Sequence, residues 1–373
     1  MSDSNEITRL RVAVLYGGRS TEHEISQQSA AAVVAQLDPN KYEVIPISID
    51  RQGRFQRQDL ERLRAHNPRL LASEASGTAL TVAARPGPLF LADGPAAPQI
   101  DVVFPVLHGP LCEDGSIQGL FELAEVPYVG SRVLGSAIGM DKDVAKRLVR
   151  ADGIDVAPYL SLSSARWERD RAPYLARAER ELRYPMFVKP ATLGSSVGIS
   201  RVSDRAQLEA AVELARRYDD KLLIEQGVSA REIEFAVLAA EDLAAPPDVS
   251  VPGEIVPRDA FYSFERKYLE TEGAELHIPA QLAPEQLEQG RALAGRIFTL
   301  LECEAMARVD LFLERTSGRF FFNEVNTIPG FTAISMYPKL WEASGLPYRA
   351  LLDRLIKDAL ARHARRSELQ RER

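Results

Sequence analysis

The chain has 373 residues, more than one hydrophobic core usually supports, so two or three domains are expected. Its 45% hydrophobic and 27% charged residues are ordinary for a soluble globular protein, and a net charge of -7 argues against general nucleic-acid binding. Cys112 and Cys303 make neither a disulfide framework nor a metal-type spacing, the N-terminus is polar, and no apolar run is long enough to span a bilayer. These features predict a cytoplasmic protein with no membrane partner. The basic run from Arg362 to Arg373 reads as a frayed or solvated helix end.

In chain order, Arg9 to Tyr16 is a short apolar run of the kind that forms a buried strand. Gly17 and Gly18 break it, and Thr21 and Glu24 have capping-box spacing for a helix running to about Leu37. A strand, a glycine turn and a helix start form a ligand-binding corner of α/β folds. Glu22 in that turn fits either complementation of the helix dipole or a carboxylate facing a substrate ammonium. His23-Glu24 begins like a zinc-protease motif, but Gln27 stands where the second histidine belongs. Tyr42 to Ile49 is a second strand. The weakly patterned, partly Pro/Gly-rich stretch from Leu60 to Gln99 reads as a long excursion outside the core, with a hairpin as one form it can take. Val102 to Leu107 is a strand ending at His108, which fits a ligand contact or a structural histidine equally well. Glu113-Asp114-Gly115 and a helix from Ser116 to Ala124 follow.

A helix around Asp141 to Ala151 carries Lys142, and the strand Pro185 to Pro190 carries Lys189. Gly194-Ser195-Ser196-Val197-Gly198 is a flexible loop rich in backbone N–H groups and hydroxyls, at the tip of a hairpin that returns through Ile199 to Val202. It suits either a plain turn or a phosphate cradle, and the two lysines favour the cradle. Asp204 to Tyr218 is a helix, Lys221 to Glu225 a strand, and Arg231 to Ala240 a strand bearing Glu232. Arg258 to Gly273 has charges and aromatics but no clean period, which predicts a mobile lid. Pro284 to Cys303 is a long amphipathic helix.

Ala305 to Gly330 reads as two antiparallel strands, Ala305 to Glu314 and Arg319 to Asn326, joined by Thr316-Ser317-Gly318. Alternation puts Arg308 and Asp310 on one face and Glu324 and Asn326 on one face, opposite Asn323 and Val325. In the expected register Asp310, Glu324 and Asn326 converge, which fits either a solvated charged face or a hard-oxygen site suited to Mg²⁺; Met306 and Phe312 on that face and the Phe320-Phe321-Phe322 run favour the site slightly.

The ordered segments GGRSTEHEIS, LHGPLCEDGSIQG, MDK, FVKPATLGSSVG, LIEQGVSAREIE, FERKYLE, ARVDLFL and FNEVNTIPGFT together resemble the ATP-grasp superfamily, and within it the D-alanine-D-alanine ligases. The match runs in order along nearly the whole chain. It departs at Leu111-Cys112, where the family more often has small or polar residues, and is poor from Leu60 to Gln99. The resemblance implies a mixed α/β fold of the ATP-grasp type. Its three domains would be a Rossmann-like N-terminal domain (1–130), a central domain (131–223) and a C-terminal domain (224–373) with its lid at 258–273. ATP would lie between the last two, and the family expectation is a homodimer.

The resemblance also implies roles. Asp310, Glu324 and Asn326 would hold two Mg²⁺ ions, for which Mn²⁺ can substitute. Lys142, Lys189, Lys267 and Ser196 would bind the ATP phosphates. Glu225, Gln226 and Val228 would line the adenine pocket, and Glu232 would accept from the ribose. Glu22 would bind the first D-alanine's ammonium, with His108 and Tyr262 nearby. Ser335 and Met336 would receive the second D-alanine's carboxylate. Arg308 and the Gly330 N–H would stabilise the oxyanion, and Glu22, Ser195 and Tyr268 would bridge to the lid. The expected activity is ATP-dependent joining of two D-alanines through an acyl phosphate, for cell-wall precursors in a bacterium. The alternatives are a D-alanyl-D-lactate or D-alanyl-D-serine ligase and a regulatory ATP-grasp protein. Tyr268 argues against the lactate form, and the full set of metal ligands with Arg308 against the regulatory one.

Overall fold

The computed structural model describes residues 9–64, 77–91, 98–242, 244–257 and 274–370. The lid segment 258–273, with Tyr262, Lys267 and Tyr268, lies outside the described residues.

The first sheet is built on β1 (Leu10–Gly17), whose Val12 to Leu15 are fully buried. It is followed by α1 (His23–Gln36) and β2 (Tyr42–Ile49). Then come β3 (Phe55–Arg57), α2 (Leu60–Arg64), β4 (Thr78–Val82), β5 (Phe90–Leu91) and β6 (Val102–Pro105). Strand order is β5-β4-β3-β2-β1-β6, with β2 and β6 both parallel to β1. The chain leaves β1 for β2 on one side and returns as β6 on the other, so a crevice opens at the C-terminal ends of β1 and β6. Gly17, Gly18 and His108 lie there.

Two sequence expectations are corrected here. The stretch after Leu60 is not outside the core. Its strands β4 and β5 extend the sheet antiparallel beyond β3, and Leu63, Leu80, Leu89 and Phe90 are buried. Short strands broken by Pro and Gly carry too little periodic pattern to be recognised alone. The Thr21–Glu24 capping box does not form either: Glu22 is the N-cap of α1 without a side-chain cap, and its N–H donates to Ser20 Oγ at 3.0 Å.

Helices α3 (Ser116–Leu123), α4 (Val133–Met140) and α5 (Lys142–Ala151) lead to the second sheet. Asp141 caps α5 by accepting from the N–H groups of Asp143 and Val144, and it also binds Lys221. β7 (Tyr159–Ser163), β8 (Met186–Pro190), β9 (Ser200–Val202) and β10 (Lys221–Gln226) form an antiparallel sheet in the order β7-β10-β8-β9. Helices α6 (Ser164–Glu181) and α7 (Arg205–Ala215) pack on it through Trp167, Leu175, Leu208 and Val212. The Gly194–Gly198 loop joins β8 to β9 at the tip of their hairpin, as the sequence predicts.

The third sheet contains β11 (Ala230–Leu238), β12 (Asp248–Pro257), β13 (Ala274–His277), β14 (Met306–Glu314) and β15 (Phe320–Asn326), antiparallel in the order β13-β12-β11-β14-β15. Alternation sorts β11 cleanly. Ile233, Phe235 and Val237 pack with Ala294, Ile297 and Phe298 of α8 (Pro284–Leu300), while Ala236 and Leu238 join the core under α9 (Met336–Ala343) and α10 (Tyr348–Ser367). Burial of about 25 cal/mol per Å² of apolar surface holds these layers together.

The reading of the C-terminal basic run is corrected in part: Ala364, Arg365 and Ser367 to Gln370 are exposed, and residues 371–373 lie outside the described residues, but two of its arginines are held. Arg362 donates to the carbonyls of Tyr128 and Gly130 at 3.2 and 3.0 Å, and Arg366 to both carboxylate oxygens of Glu122 at 2.8 Å. α10 is thereby tied to the N-terminal part of the chain rather than left in solvent. Composition shows the arginines but not the acceptors 232 to 244 residues away.

Candidate active site

A cleft is lined by both the second and the third sheet. Lys142 from α5, Lys189 from β8 and Ser195 and Ser196 from the loop face Glu232 from β11, Asp310 from β14 and Glu324 from β15. Gln226 and Val228 line the same cleft.

The lysines are held by a charge network of which the sequence reading saw only part. Glu225 accepts from Lys189 at 2.8 Å through one carboxylate oxygen and lies 2.8 Å from Lys146 through the other. Burial opposes its charge, but the two lysines prevail and pull its pKa down to about 2. Burial pulls the Lys146 pKa down, with Glu225 only partly offsetting it. For Lys189 burial also opposes the charge, yet Glu225 tips the balance upward and keeps it cationic. The Glu225 carboxylate therefore orients lysines, leaving its main chain as the part that can meet an adenine. The Gln226 amide oxygen turns away to accept from the Arg183 N–H at 3.0 Å. Lys142 donates to the Leu193 carbonyl at 2.7 Å and lies 3.1 Å from Glu324. Lys146 is the missed member of this set. Its signal was present, since it follows Lys142 by four residues on the face of α5 that also buries Ala145 and Val149.

In the hairpin, Asp310 pairs with Glu324 and Arg308 with Asn326. Between Asp310 and Leu311 the register shifts, so that Leu311 pairs with Phe322 and Asn323 has no residue opposite it. This bulge breaks the alternation expected from sequence, and Asn323 and Glu324 both line the cleft. Arg308 grips Asp310 with two hydrogen bonds of 2.7 and 2.6 Å, and the Asn326 amide donates to Asp310 Oδ2 at 3.0 Å. Glu234 lies 3.1 Å from Arg308 Nε. Burial works against the guanidinium charge, but Asp310 and Glu234 outweigh it and hold its pKa well above the usual range. Two carboxylates and an amide are hard-oxygen donors with the chemistry of a Mg²⁺ site. Among the described residues no group of three or more His, Cys, Asp or Glu forms a metal cage, so a cation here would share waters or substrate oxygens.

At the N-terminal crevice Ser195 donates its hydroxyl to the buried Glu22, closing the space between the first and second sheets. Ser195 and Ser196 have φ of +52 and +60, backbone angles that L-residues rarely adopt. Gly109 takes a φ of +82, which favours glycine, and a Cβ there would lie 2.6 Å from Ser20 Oγ and 3.0 Å from Glu22 Oε2, so the chain passes close to Glu22. Glu113 accepts from the Gly109 N–H at 2.6 Å. Crowding by protein, and then the charge of Glu22, push its pKa up to about 8. The sequence reading noted Glu113 without giving it a role. His108 is buried, with Ser29 Oγ 3.4 Å from its Nε2, and burial pulls its pKa down. His23 is structural, bonded to the Gly18 carbonyl at 2.8 Å and to Gln27 at 3.0 Å.

Gly330 lies close to Ser335: a Cβ there would come within 2.8 Å of the hydroxyl. Ser335 is the N-cap of α9 and accepts from the Thr332 N–H at 3.0 Å. The Met336 side chain is buried in the core, leaving only its main chain for a ligand. Cys112 and Cys303 are free and buried. Cys112 lies against Gly18, and Leu111 takes a φ of +65.

Models of the D-ala D-ala ligase N-terminus and C-terminus match residues 11–131 and 148–357. The chain is 52% identical over 370 residues to D-alanine–D-alanine ligase A of Bradyrhizobium diazoefficiens, covering 97% of this chain and 98% of that one. Among solved structures, the D-alanine-D-alanine ligase from Coxiella burnetii superposes with a TM-score of 0.83 at 40% identity, covering 96% of both chains. The VanG D-Ala:D-Ser ligase from Enterococcus faecalis superposes with a TM-score of 0.82 at 34% identity, covering 94% of this chain and 100% of that one.

Proposed function

Since the chain belongs to the D-alanine-D-alanine ligase family, on an ATP-grasp fold, we propose that its cleft joins two D-alanine molecules at the expense of ATP. The observation that carries this reading is the meeting, in one cleft, of Lys142, Lys189, Asp310 and Glu324, with the Glu22–Ser195 bond beside the same loop. A regulatory protein would have no use for that set.

The reaction runs in two steps. A carboxylate oxygen of the first D-alanine attacks the γ-phosphorus of ATP, the bond to the bridging oxygen breaks, and ADP leaves. The amine of the second D-alanine then attacks the acyl phosphate carbon, loses a proton, and inorganic phosphate departs. Positioning and charge neutralisation carry most of such a transfer. Lys142 and Lys189 neutralise phosphate oxygens, and Ser196 with the loop N–H groups cradles them. Gln226, Val228 and the Glu225 main chain border the base, and Glu232 accepts from the ribose. Glu22 binds the first ammonium, oriented by Ser195, and His108 lies beside it. Arg308 and the Gly330 N–H meet the oxyanion. Ser335 and the Met336 N–H, at the positive end of α9, receive the second carboxylate. Asp310, Glu324 and Asn326 would hold Mg²⁺ or Mn²⁺, which supplies charge stabilisation to the phosphates. Lys267, Tyr262 and Tyr268 complete the site in this reading, although they lie outside the described residues.

No described helix is long and apolar enough to cross a membrane. The proposal places the protein in the bacterial cytoplasm as a homodimer supplying cell-wall dipeptide. The test is ADP release with D-alanine alone and with D-lactate or D-serine added, each product being quantified. D-alanyl-D-alanine as the main product supports the reading. Release that does not depend on D-alanine overturns it.

A further inference from the structure

Glu234 has no part in the roles above, yet it stands in the middle of them. It lies on β11 directly across from Asp310 on β14, with 4% of its surface exposed. Two residues further along the same face come Ala236 and then Leu238, both in the apolar core under α9. A carboxylate at this depth needs a cationic partner to offset its lost hydration. The cation beside it is Arg308, whose Nε–H donates to Asp310 Oδ1 at 2.7 Å and lies 3.1 Å from Glu234 Oε2, a buried oxygen that accepts no hydrogen bond among the described residues. A second Arg308 nitrogen bonds Asp310 Oδ2 at 2.6 Å.

Asp310 thus has two claims on it. Arg308 takes one oxygen with each of two nitrogens, and the Asn326 amide also donates to Oδ2. A divalent cation drawn to the same carboxylate would meet a guanidinium a few ångströms away, and at that range like charges repel by several kcal/mol at an effective dielectric of about 20. A site with only Asp310 and Arg308 would face a conflict, because the carboxylate cannot serve the arginine and the cation fully. Glu234 resolves it. It lies on β11, on the opposite side of β14 from Glu324 on β15, and so gives Arg308 a second anion besides Asp310.

We propose that Glu234 is a positioning residue that anchors Arg308 when Asp310 is given to a divalent cation, and so sets both the cation affinity and the aim of the guanidinium at the reacting carbonyl. This rests on the reading of Asp310 as a metal ligand and Arg308 as the oxyanion partner.

The test compares the unmutated enzyme with Glu234→Gln, which keeps the shape and removes the charge, and with Glu234→Asp, which keeps the charge on a shorter arm. Mn²⁺ binding in the presence of ADP is read from the free-ion electron paramagnetic resonance signal, which needs no turnover. Kinetics and thermal melting are measured alongside. Glu234→Gln is expected to weaken Mn²⁺ binding about tenfold, equivalent to ~1.4 kcal/mol. It should lower kcat while leaving the KM of the first D-alanine within about twofold, because Glu22 is untouched. Glu234→Asp should recover part of both losses. If Glu234→Gln melts normally and both its Mn²⁺ affinity and its kcat stay within about twofold of the unmutated enzyme, the inference is overturned. Equal losses in both variants together with a lowered melting temperature also overturn it, since that pattern marks a purely structural residue. If the unmutated protein binds no Mn²⁺ with ADP and releases no ADP with D-alanine, the proposed function fails and takes this inference with it, a result distinct from failure of Glu234 alone.

Discussion

Ser195 donates its hydroxyl to Glu22 across 173 residues of chain. The bond joins the loop between β8 and β9 to the N-cap of α1, so the loop proposed to face phosphate and the carboxylate proposed to face an ammonium are set by one contact. Ser195→Ala should therefore act on the binding of the first D-alanine as well as on phosphate transfer. Loss of a hydrogen bond to a charged group costs about 1.5 to 3 kcal/mol. A double-mutant cycle of Ser195→Ala with Glu22→Gln, read as kcat/KM for the first D-alanine, should show coupling of about 0.5 to 3 kcal/mol. Strict additivity would separate the two residues functionally.

Glu324 reaches the cleft from the bulge in β15 and pairs with Lys142 at 3.1 Å. Glu324→Gln should nearly abolish turnover while the fold survives, because the metal contact proposed for it would supply several kcal/mol of transition-state stabilisation. ADP release and Mn²⁺ binding are measured with the thermal melt. Near-normal activity at saturating Mg²⁺ would remove Glu324 from the site.

Glu225 holds two buried lysines, and Glu225→Gln would leave Lys146 with no anion at 2.8 Å. Breaking such a pair costs about 3 to 5 kcal/mol. The sign with pH follows from the depressed pKa. The native carboxylate titrates at about 2 rather than near 4.5, so the stabilisation is complete above the higher value and is lost as pH falls toward the lower one. The melting-temperature gap between the unmutated protein and Glu225→Gln should be widest near neutral pH and narrow below pH 4.5. A gap that widens with acid would refute the assignment.

Glu113 behaves in the opposite sense. Its pKa is raised from 4.5 to about 8, so between those values the native state holds a proton that the unfolded chain has released. Stability contributed by this group is full below 4.5 and is lost as pH rises through about 8. Glu113→Gln removes the titration and should flatten the melting profile over that window, gaining on the unmutated protein at its alkaline end. Parallel profiles across the window would mean that Glu113 ionises normally.

Much of the framework of the candidate site was legible because strand pattern and turn chemistry are local. The run Tyr42 to Ile49 became β2 at the expected residues, and the β14–β15 hairpin brought Asp310 opposite Glu324 as alternation required. The glycine turn after β1 and the Gly194–Gly198 loop were readable for the same reason, since backbone freedom is written residue by residue. The family resemblance extended that reading by adding roles to Lys142, Lys189 and Glu22 that no local pattern carries.

What the chain alone did not reveal depends on partners distant in sequence. Whether Arg366 ends a helix in water or grips Glu122 is decided by a contact 244 residues away. Lys146 and Glu234 look like surface charges on amphipathic elements until α5 is laid against β10 and β11 against β14. Only then does burial oblige each to find an opposite charge, through Glu225 for one and Arg308 for the other. The bulge that turns Asn323 toward the cleft arises from pairing between strands, not from the residues of β15 themselves. Sequence by itself determined most of the strands, turns and helices and which side chains were candidates for the chemistry. Tertiary structure decided which charges lose their water, because hydration is lost only where elements meet.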